Sequence, residues 1–245
     1  MTPLPAPIAD FALPLVLFLA LLLDWRHGET RYFHPLVGFG KLGQQLEKRL
    51  NRQHYQAALT RLFGCIAWCL LVLPLSAIYF LLQSDAWLFV LLDCFVLYLA
   101  IGLNSLKEHA LNIYKPLREN ELEQARQAVA MIVSRNTQEL NNTQISRATV
   151  ESVLENGHDA VIASLFYYTV GGAPLVILHR LANTLDAMWG YKSERFIHFG
   201  WCAAKMDDLL GWPSAKASAL LYGLAGSKNL SCLKQAIKNA ASQSK

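Results

Sequence analysis

The sequence predicts an all-α, polytopic integral membrane protein with amphipathic and soluble helical loops and a re-entrant helical hairpin. Three observations carry that expectation. Hydrophobic residues make up 53% of the 245 residues and charged ones 16%, against the ~25% charged typical of soluble domains. The charges avoid several apolar runs of about twenty residues, the length that crosses a bilayer. A later apolar run is interrupted by Gly171, Gly172, Ala173 and Pro174, leaving halves of about eleven residues, too short to span alone.

The first apolar run covers Phe11 to Leu23, and a membrane helix is expected over Pro7 to Trp25, bent at Pro14. It lacks the basic start and the small-residue cleavage site of a secretory signal, so it is expected to stay attached. Asp24 to Arg61 follows as a basic loop, with Arg26, Arg31, Lys41, Lys48, Arg49, Arg52 and Arg61 opposed only by Asp24, Glu29 and Glu47. The positive-inside rule makes this loop cytoplasmic and the amino terminus external. Inside it, Phe39, Leu42, Leu46 and Leu50 recur at helical spacing and predict a short amphipathic helix.

Leu62 to Leu82 and Ala86 to Leu106 read as two spans joined by Gln83, Ser84 and Asp85. Asp93 sits within the second, as a functional carboxylate or one that faces a polar neighbour. The polar stretch Lys107 to His158 returns to the cytoplasm. A helix with Leu122, Ala125, Val129 and Ile132 inward is expected there, N-capped by Asn120 and turning near Asn136. The next helix starts near Gln144 and carries Arg147, Glu151, Glu155 and Asp159 at four-residue spacing, one slowly drifting stripe. This stripe runs into the apolar segment from Ala160 without a loop. If that segment were one kinked span, the polar run Asn183 to Asp208 would lie outside; a hairpin at Gly171 to Pro174, favoured by the Gly and Pro residues, returns it to the cytoplasm. Ser214 to Leu224 is a short apolar patch before a basic tail. One domain thus divides into a membrane region (1–106), a helical segment (107–158), the hairpin with its polar loop (159–213) and the patch with its tail (214–245).

The modest net charge of +4, without a basic block interleaved with aromatics, excludes a nucleic-acid partner. Cys65, Cys69, Cys94, Cys202 and Cys232 show neither CxxC nor zinc-ligand spacing. No G-x-S-x-G, Walker A or Rossmann glycine pattern occurs. What remains is a crowd of carboxylates, cations and amides beside a membrane. Clustered Asp and Glu suit Mg²⁺, and Lys192 and Arg195 suit phosphate oxygens. The residues alone point to a membrane-associated Mg²⁺/phosphate enzyme, with a polar-lined channel or transporter as the rival.

Two blocks carry more: RATVESVLENGHDAVIASLFY from Arg147, and NTLDAMWGYKSERFIHFGWCAAKMDDLLGW from Asn183. With LLLDW, His34-Pro35 and Gly40-Lys41, they closely resemble the adenosylcobinamide-phosphate synthase family of cobalamin biosynthesis, the CbiB/CobD type, over roughly Leu21 to Leu224. The resemblance implies an integral enzyme of the inner membrane, its motif loops facing the cytoplasm. It implies ATP-dependent amide ligation of adenosylcobyric acid with (R)-1-amino-2-propanol or its O-phosphate. ATP and Mg²⁺ are implied, with the lipid bilayer and other late corrin-pathway membrane enzymes as partners. Roles expected on that basis are Glu151, Glu155, Asp186 and Arg147 as catalytic residues, and Glu151, Glu155, Asp159, Asp207 and Asp208 as metal ligands. Asn183, Thr184, Tyr191, Lys192, Arg195, His34 and Lys41 are expected to bind substrate or phosphate. Trp189, Phe196 and Trp201 read as core packing, with a corrin-facing wall as the alternative, and His158 and His198 as bystanders.

The departures from the family pattern are specific. Ser134, Arg135, Asn136 and Thr137 stand where the family usually has Gly-Arg-Asp-Thr, and Gly211 to Lys216 replace Asn-Trp-x-Pro-Ala-Arg. The family continues into a Ser-Pro-Asn-Ala-Gly-Trp segment, whereas this sequence ends at Lys245. A fragment, a shortened regulatory paralogue, an inactive relative, or a corrinoid-binding or transport component without ligase activity are the alternatives this raises.

Overall fold

The computed structural model describes residues 6–29, 34–52, 56–82, 87–133 and 135–226, and side chains from 11 to 224 within them. The expected turn at Gln83 to Asp85, Ser134 and the basic tail lie outside the described residues. Those residues fold entirely into helices and connecting turns.

Helix α1 (Ala6–His27) leads to α2 (Pro35–Leu50). His34 caps α2, its Nδ1 accepting from the Leu36 N–H at 3.2 Å, while Pro35 supplies the preset φ favoured at a first helical position. The buried face of α2 is Phe39, Gly43 and Glu47, flanked by Leu46 and Leu50. Leu42 is 55% exposed, so the expected four-residue apolar stripe is rotated. Gly43 permits this by admitting Leu185 and Trp189 of a later helix.

Helix α3 (Ala57–Leu82) is a long span, but the next expected run divides into α4 (Trp87–Ala100) and α5 (Leu103–Arg118). At the break, the backbone N–H of Asn104 donates to Asp24 Oδ2 at 2.9 Å, a partner outside its own helix. Asp93 on α4 accepts from the hydroxyls of Tyr79 at 2.7 Å and Tyr168 at 3.0 Å. This intramembrane carboxylate thus faces polar neighbours, as a buried one must. Three segments are long and apolar enough to cross a membrane by length and composition: Ala57–Leu82, Trp87–Arg118 and Asn142–Trp189. Phe80, Leu81, Leu91 and Phe95 project from them, more than half exposed, as lipid-facing side chains would.

The polar-side helices α6 (Leu122–Ala130) and α7 (Asn142–Gly157) close a separate small core of Ile113, Ala125, Val129, Ile145 and Ala148. Asn120 is not the N-cap of α6. It takes φ 61, the left-handed conformation that asparagine tolerates after a helix end, and Glu121 occupies the cap. Asn141 and Gln144 form a reciprocal capping box at the start of α7.

Helix α7 passes through a π turn (His158–Ile162) into α8 (Ala163–Trp189). Inside α8 the chain leaves helical geometry at Gly171 (φ −157, ψ 23) and Gly172 (φ 68, ψ −163) and doubles back. Asn183 Nδ2 lies 3.4 Å from Asp159 Oδ2, 24 residues earlier; a straight helix would hold them ~36 Å apart. Tyr167 and His179 likewise stack across the two arms, centroids 5.1 Å apart. The re-entrant hairpin is therefore real, and the Ser76 hydroxyl stabilises its tip by donating to Pro174 O at 3.2 Å.

Residues 190–200 form turns, and α9 (Trp201–Gly226) follows. The expected polar loop and short apolar patch are thus largely two helices, the end of α8 and all of α9. Gly200 allows their close crossing, because a Cβ there would lie 1.7 Å from Trp189 O. Trp189 and Phe199 pack edge-to-face, centroids 5.0 Å apart, at the heart of the core shared by α2, α3, α8 and α9.

Candidate functional site

The hairpin brings the two polar blocks to one cavity of about 960 Å³, lined by the ends of α5 and α7, the π turn, the second arm of α8 and the start of α9. Helical spacing explains which side chains reach it. Glu151, Glu155 and Asp159 stand on one side, Asn183, Asp186 and Tyr191 on the other, and Asp207 enters from α9.

At the rim, Glu151 receives Arg147 Nε at 3.0 Å and an Arg135 guanidinium nitrogen at 3.1 Å. These three side chains are at least half exposed, so the pairs contribute little stability but hold the carboxylate in place. Deeper, Asp159 Oδ1 contacts His158 Nδ1 at 2.7 Å. His158 Nε2 lies 3.0 Å from Ser214 Oγ on α9, tying the π turn to that helix. Asn183 donates to Asp159, and its side chain also favours the charged form of Asp207.

Asp207 is incompletely satisfied. Its Oδ1 is buried without a hydrogen-bond partner. Its pKa is pushed up to about 7, first by burial and then by the charges of Asp186 and Asp159, against the Asn183 hydrogen bond. Like charges facing one another in a poorly hydrated site disfavour ionisation.

The other expected site residues lie apart from this cavity. Asp208 faces outward, its side chain 74% exposed and 3.5 Å from Lys205 Nζ. Arg195 makes a bidentate pair with buried Glu47, at 3.0 and 2.7 Å, which raises its pKa further. Asn51 completes that link, donating to Glu47 Oε1 at 2.8 Å and Arg195 O at 2.9 Å. Lys41 and Lys192 are exposed, and Thr184 donates to Arg180 O at 2.7 Å. His34 lines a second cavity of about 610 Å³ with His27, Asn104 and Asn112. The two cavities share Glu29, Ser105 and His109.

Among the described residues, no group of three or more His, Cys, Asp or Glu converges tightly enough to hold a metal by itself. Asp159, Asp186 and Asp207 line the cavity with hard oxygens, and Asp207 Oδ1 has no hydrogen-bond partner. That donor set fits Mg²⁺, which is commonly held by one or two carboxylates with water and substrate phosphate completing its shell.

His158, read from the sequence as a bystander, and Arg180, not singled out from the sequence, both stand at the site. His158 spans Asp159 and Ser214, and Arg180 lines the cavity from the second arm of α8. Arg180 could have been found: an ionisable residue inside an apolar run is a functional candidate in its own right.

The chain matches the family described as CobD/Cbib protein over residues 17–245. It is 50% identical over 210 residues to the cobalamin biosynthesis protein CobD of Stutzerimonas stutzeri, covering 84% of this chain and 68% of that protein. It is 48% identical over 219 residues to the CobD of Chromobacterium violaceum, covering 86% and 69%. A probable CobD of Pyrococcus furiosus is 37% identical over 223 residues, covering 89% and 74%. No solved structure matches the chain. The motif blocks that meet at the cavity and the match along nearly the whole sequence agree: the chain belongs to the CobD/Cbib protein family.

Proposed function

We propose that this protein acts in cobalamin biosynthesis as an ATP-dependent amide-forming ligase at the cytoplasmic face of the inner membrane. Its substrates are adenosylcobyric acid and (R)-1-amino-2-propanol or its O-phosphate, and its product is adenosylcobinamide or the phosphate. The observation that carries the reading is the convergence of Asp159, Asn183, Asp186 and Asp207, from two distant motif blocks, on one large cavity.

The chemistry demands such a site. A carboxylate resists amine attack because its oxygen leaves poorly. Transfer of the ATP γ-phosphoryl group to that oxygen makes an acyl phosphate and releases ADP. The amine then attacks the acyl carbon, the C–N bond forms, phosphate departs, and a base takes the amine proton. Mg²⁺ bound by Asp159, Asp186 or Asp207 would offset phosphate charge. Asn183 keeps Asp159 and Asp207 in register, and the Arg147–Glu151–Arg135 cluster orders the rim where polar substrate enters.

Membranes carrying the protein, given adenosylcobyric acid, aminopropanol O-phosphate and MgATP, are expected to form the amide with stoichiometric ATP consumption. Asp186→Ala is expected to abolish it with membrane insertion intact. Corrinoid binding without an ATP-dependent product would favour a binding or transport component instead. Neither binding nor product would favour a regulatory paralogue.

A further inference from the structure

Asp159, Asp186 and Asp207 line the cavity together with Arg180, a cation on the second arm of the α8 hairpin. Asp159, Glu29 and Asp207 are the charges that act on it, yet it forms no salt bridge among the described residues. Its Nε is buried with no hydrogen-bond partner. This contrasts with Arg195, whose fork is fully engaged by Glu47, and with Arg147, whose Nε is taken by Glu151. A guanidinium on the buried arm of a membrane hairpin is costly to place without a partner. The acidic neighbours act on it through space without pairing with it among the described residues, and its Nε stays open.

We propose that Arg180 is the oxyanion-binding residue of the cavity, presenting its planar fork to a two-oxygen face of substrate, a carboxylate or a phosphate. A guanidinium presents paired N–H donors that match such a face in two parallel bonds, which an ammonium cannot do. Arg180 lines the first cavity, and Glu29, Ser105 and His109 join that cavity to the second, so a large substrate lying in one could pass its reacting group into the other. The surrounding carboxylates give selectivity. They repel a bare anion from every approach except the one that meets the fork or brings its own cation. The identity of the two oxyanions rests on the ligase reading above; the placement of the fork does not.

The test uses the full chain in detergent, as wild type, Arg180→Gln and Arg180→Lys. Binding is measured for adenosylcobyric acid, for the same corrinoid with that carboxylate capped as a primary amide, and for a magnesium complex of a non-hydrolysable ATP analogue. Arg180→Gln is expected to weaken either the acid or the nucleotide by about ten- to a hundred-fold, with the capped corrinoid unaffected. Loss confined to the acid identifies the carboxylate as the guest, and loss confined to the nucleotide identifies the phosphate. Arg180→Lys is expected to recover less than half of the lost binding free energy, because it restores charge without the fork. Unchanged affinity for both oxyanions overturns the proposal, and so does equal weakening of the capped corrinoid, which would mean a general structural role. If wild type binds neither corrinoid nor nucleotide, the ligase reading fails, and inorganic phosphate becomes the probe. Thermal stabilisation of wild type by phosphate that Arg180→Gln abolishes supports the fork; equal or absent stabilisation in both refutes it.

Discussion

Asp207 shares its cavity with Asp159 and Asp186, whose charges act on it, and keeps one oxygen without a hydrogen-bond partner. Its folded pKa is about 7 against 3.8 for the free group, so the folded state holds its proton more tightly than the unfolded one. Stability is therefore undiminished below pH ~4, falls as pH rises toward 7, and stays reduced above it. Asp207→Asn removes this loss while keeping the side-chain shape. Without Mg²⁺, it is expected to be more stable than wild type at pH 8 by roughly 4 kcal/mol, read as a higher melting temperature, and level with it near pH 4. A lower melting temperature than wild type at pH 8 would refute the assignment. The sequence disclosed Asp207 as a candidate through its motif block, since clustered carboxylates are visible in one dimension. It could not disclose the Arg195 partnership, because Glu47 lies 148 residues away and an exposed-looking Glu–Arg pairing has no local signature. Arg180 was visible as an ionisable residue in an apolar run, but its place beside Asp159 and Asp207 depends on the reversal of α8.

The α8 hairpin makes these meetings happen, and its reversal rests on backbone geometry. Gly172 takes φ 68 and ψ −163, a region populated essentially by glycine alone. Any side chain there strains the turn regardless of space. Gly172→Ala is expected to destabilise the protein by about 1–3 kcal/mol, read as a lower melting temperature in detergent. It should also loosen the cavity, because Asp159 and Asn183 depend on the reversal to meet. An unchanged melting temperature would mean that the turn takes another conformation. This element was legible because Gly-Gly-Ala-Pro breaks both helical propensity and span length at once. Helix α9 was less so: Asp207, Asp208 and Pro213 punctuate its first half, and only packing against α3 and α8 carries the helix through them. The break between α4 and α5 was hidden for the same reason, since the partner that accepts the Asn104 N–H belongs to α1.

At the scale of the whole molecule, three cores divide the labour. Two are shared by the long apolar helices and the hairpin, and the third closes the polar helices α5, α6 and α7. The cavity draws its lining from the polar helices, the π turn, the second arm of the hairpin and α9. The hairpin fixes one topological consequence. Because Asp159 and Asn183 touch, the start of α7 and the turns at 190–200 must leave the apolar region on the same side. Ser146 and Ser193 are both exposed, so Ser146→Cys and Ser193→Cys, each introduced into a chain whose native cysteines are replaced by serine or alanine, report on that side. A membrane-impermeant thiol reagent is expected to label both from the cytoplasmic face and neither from the external one. The basic loop containing α2 supports that orientation. Labelling from opposite faces would break the hairpin reading itself; labelling of both from outside would keep the hairpin and reverse the membrane orientation, leaving the cavity without access to cytoplasmic ATP.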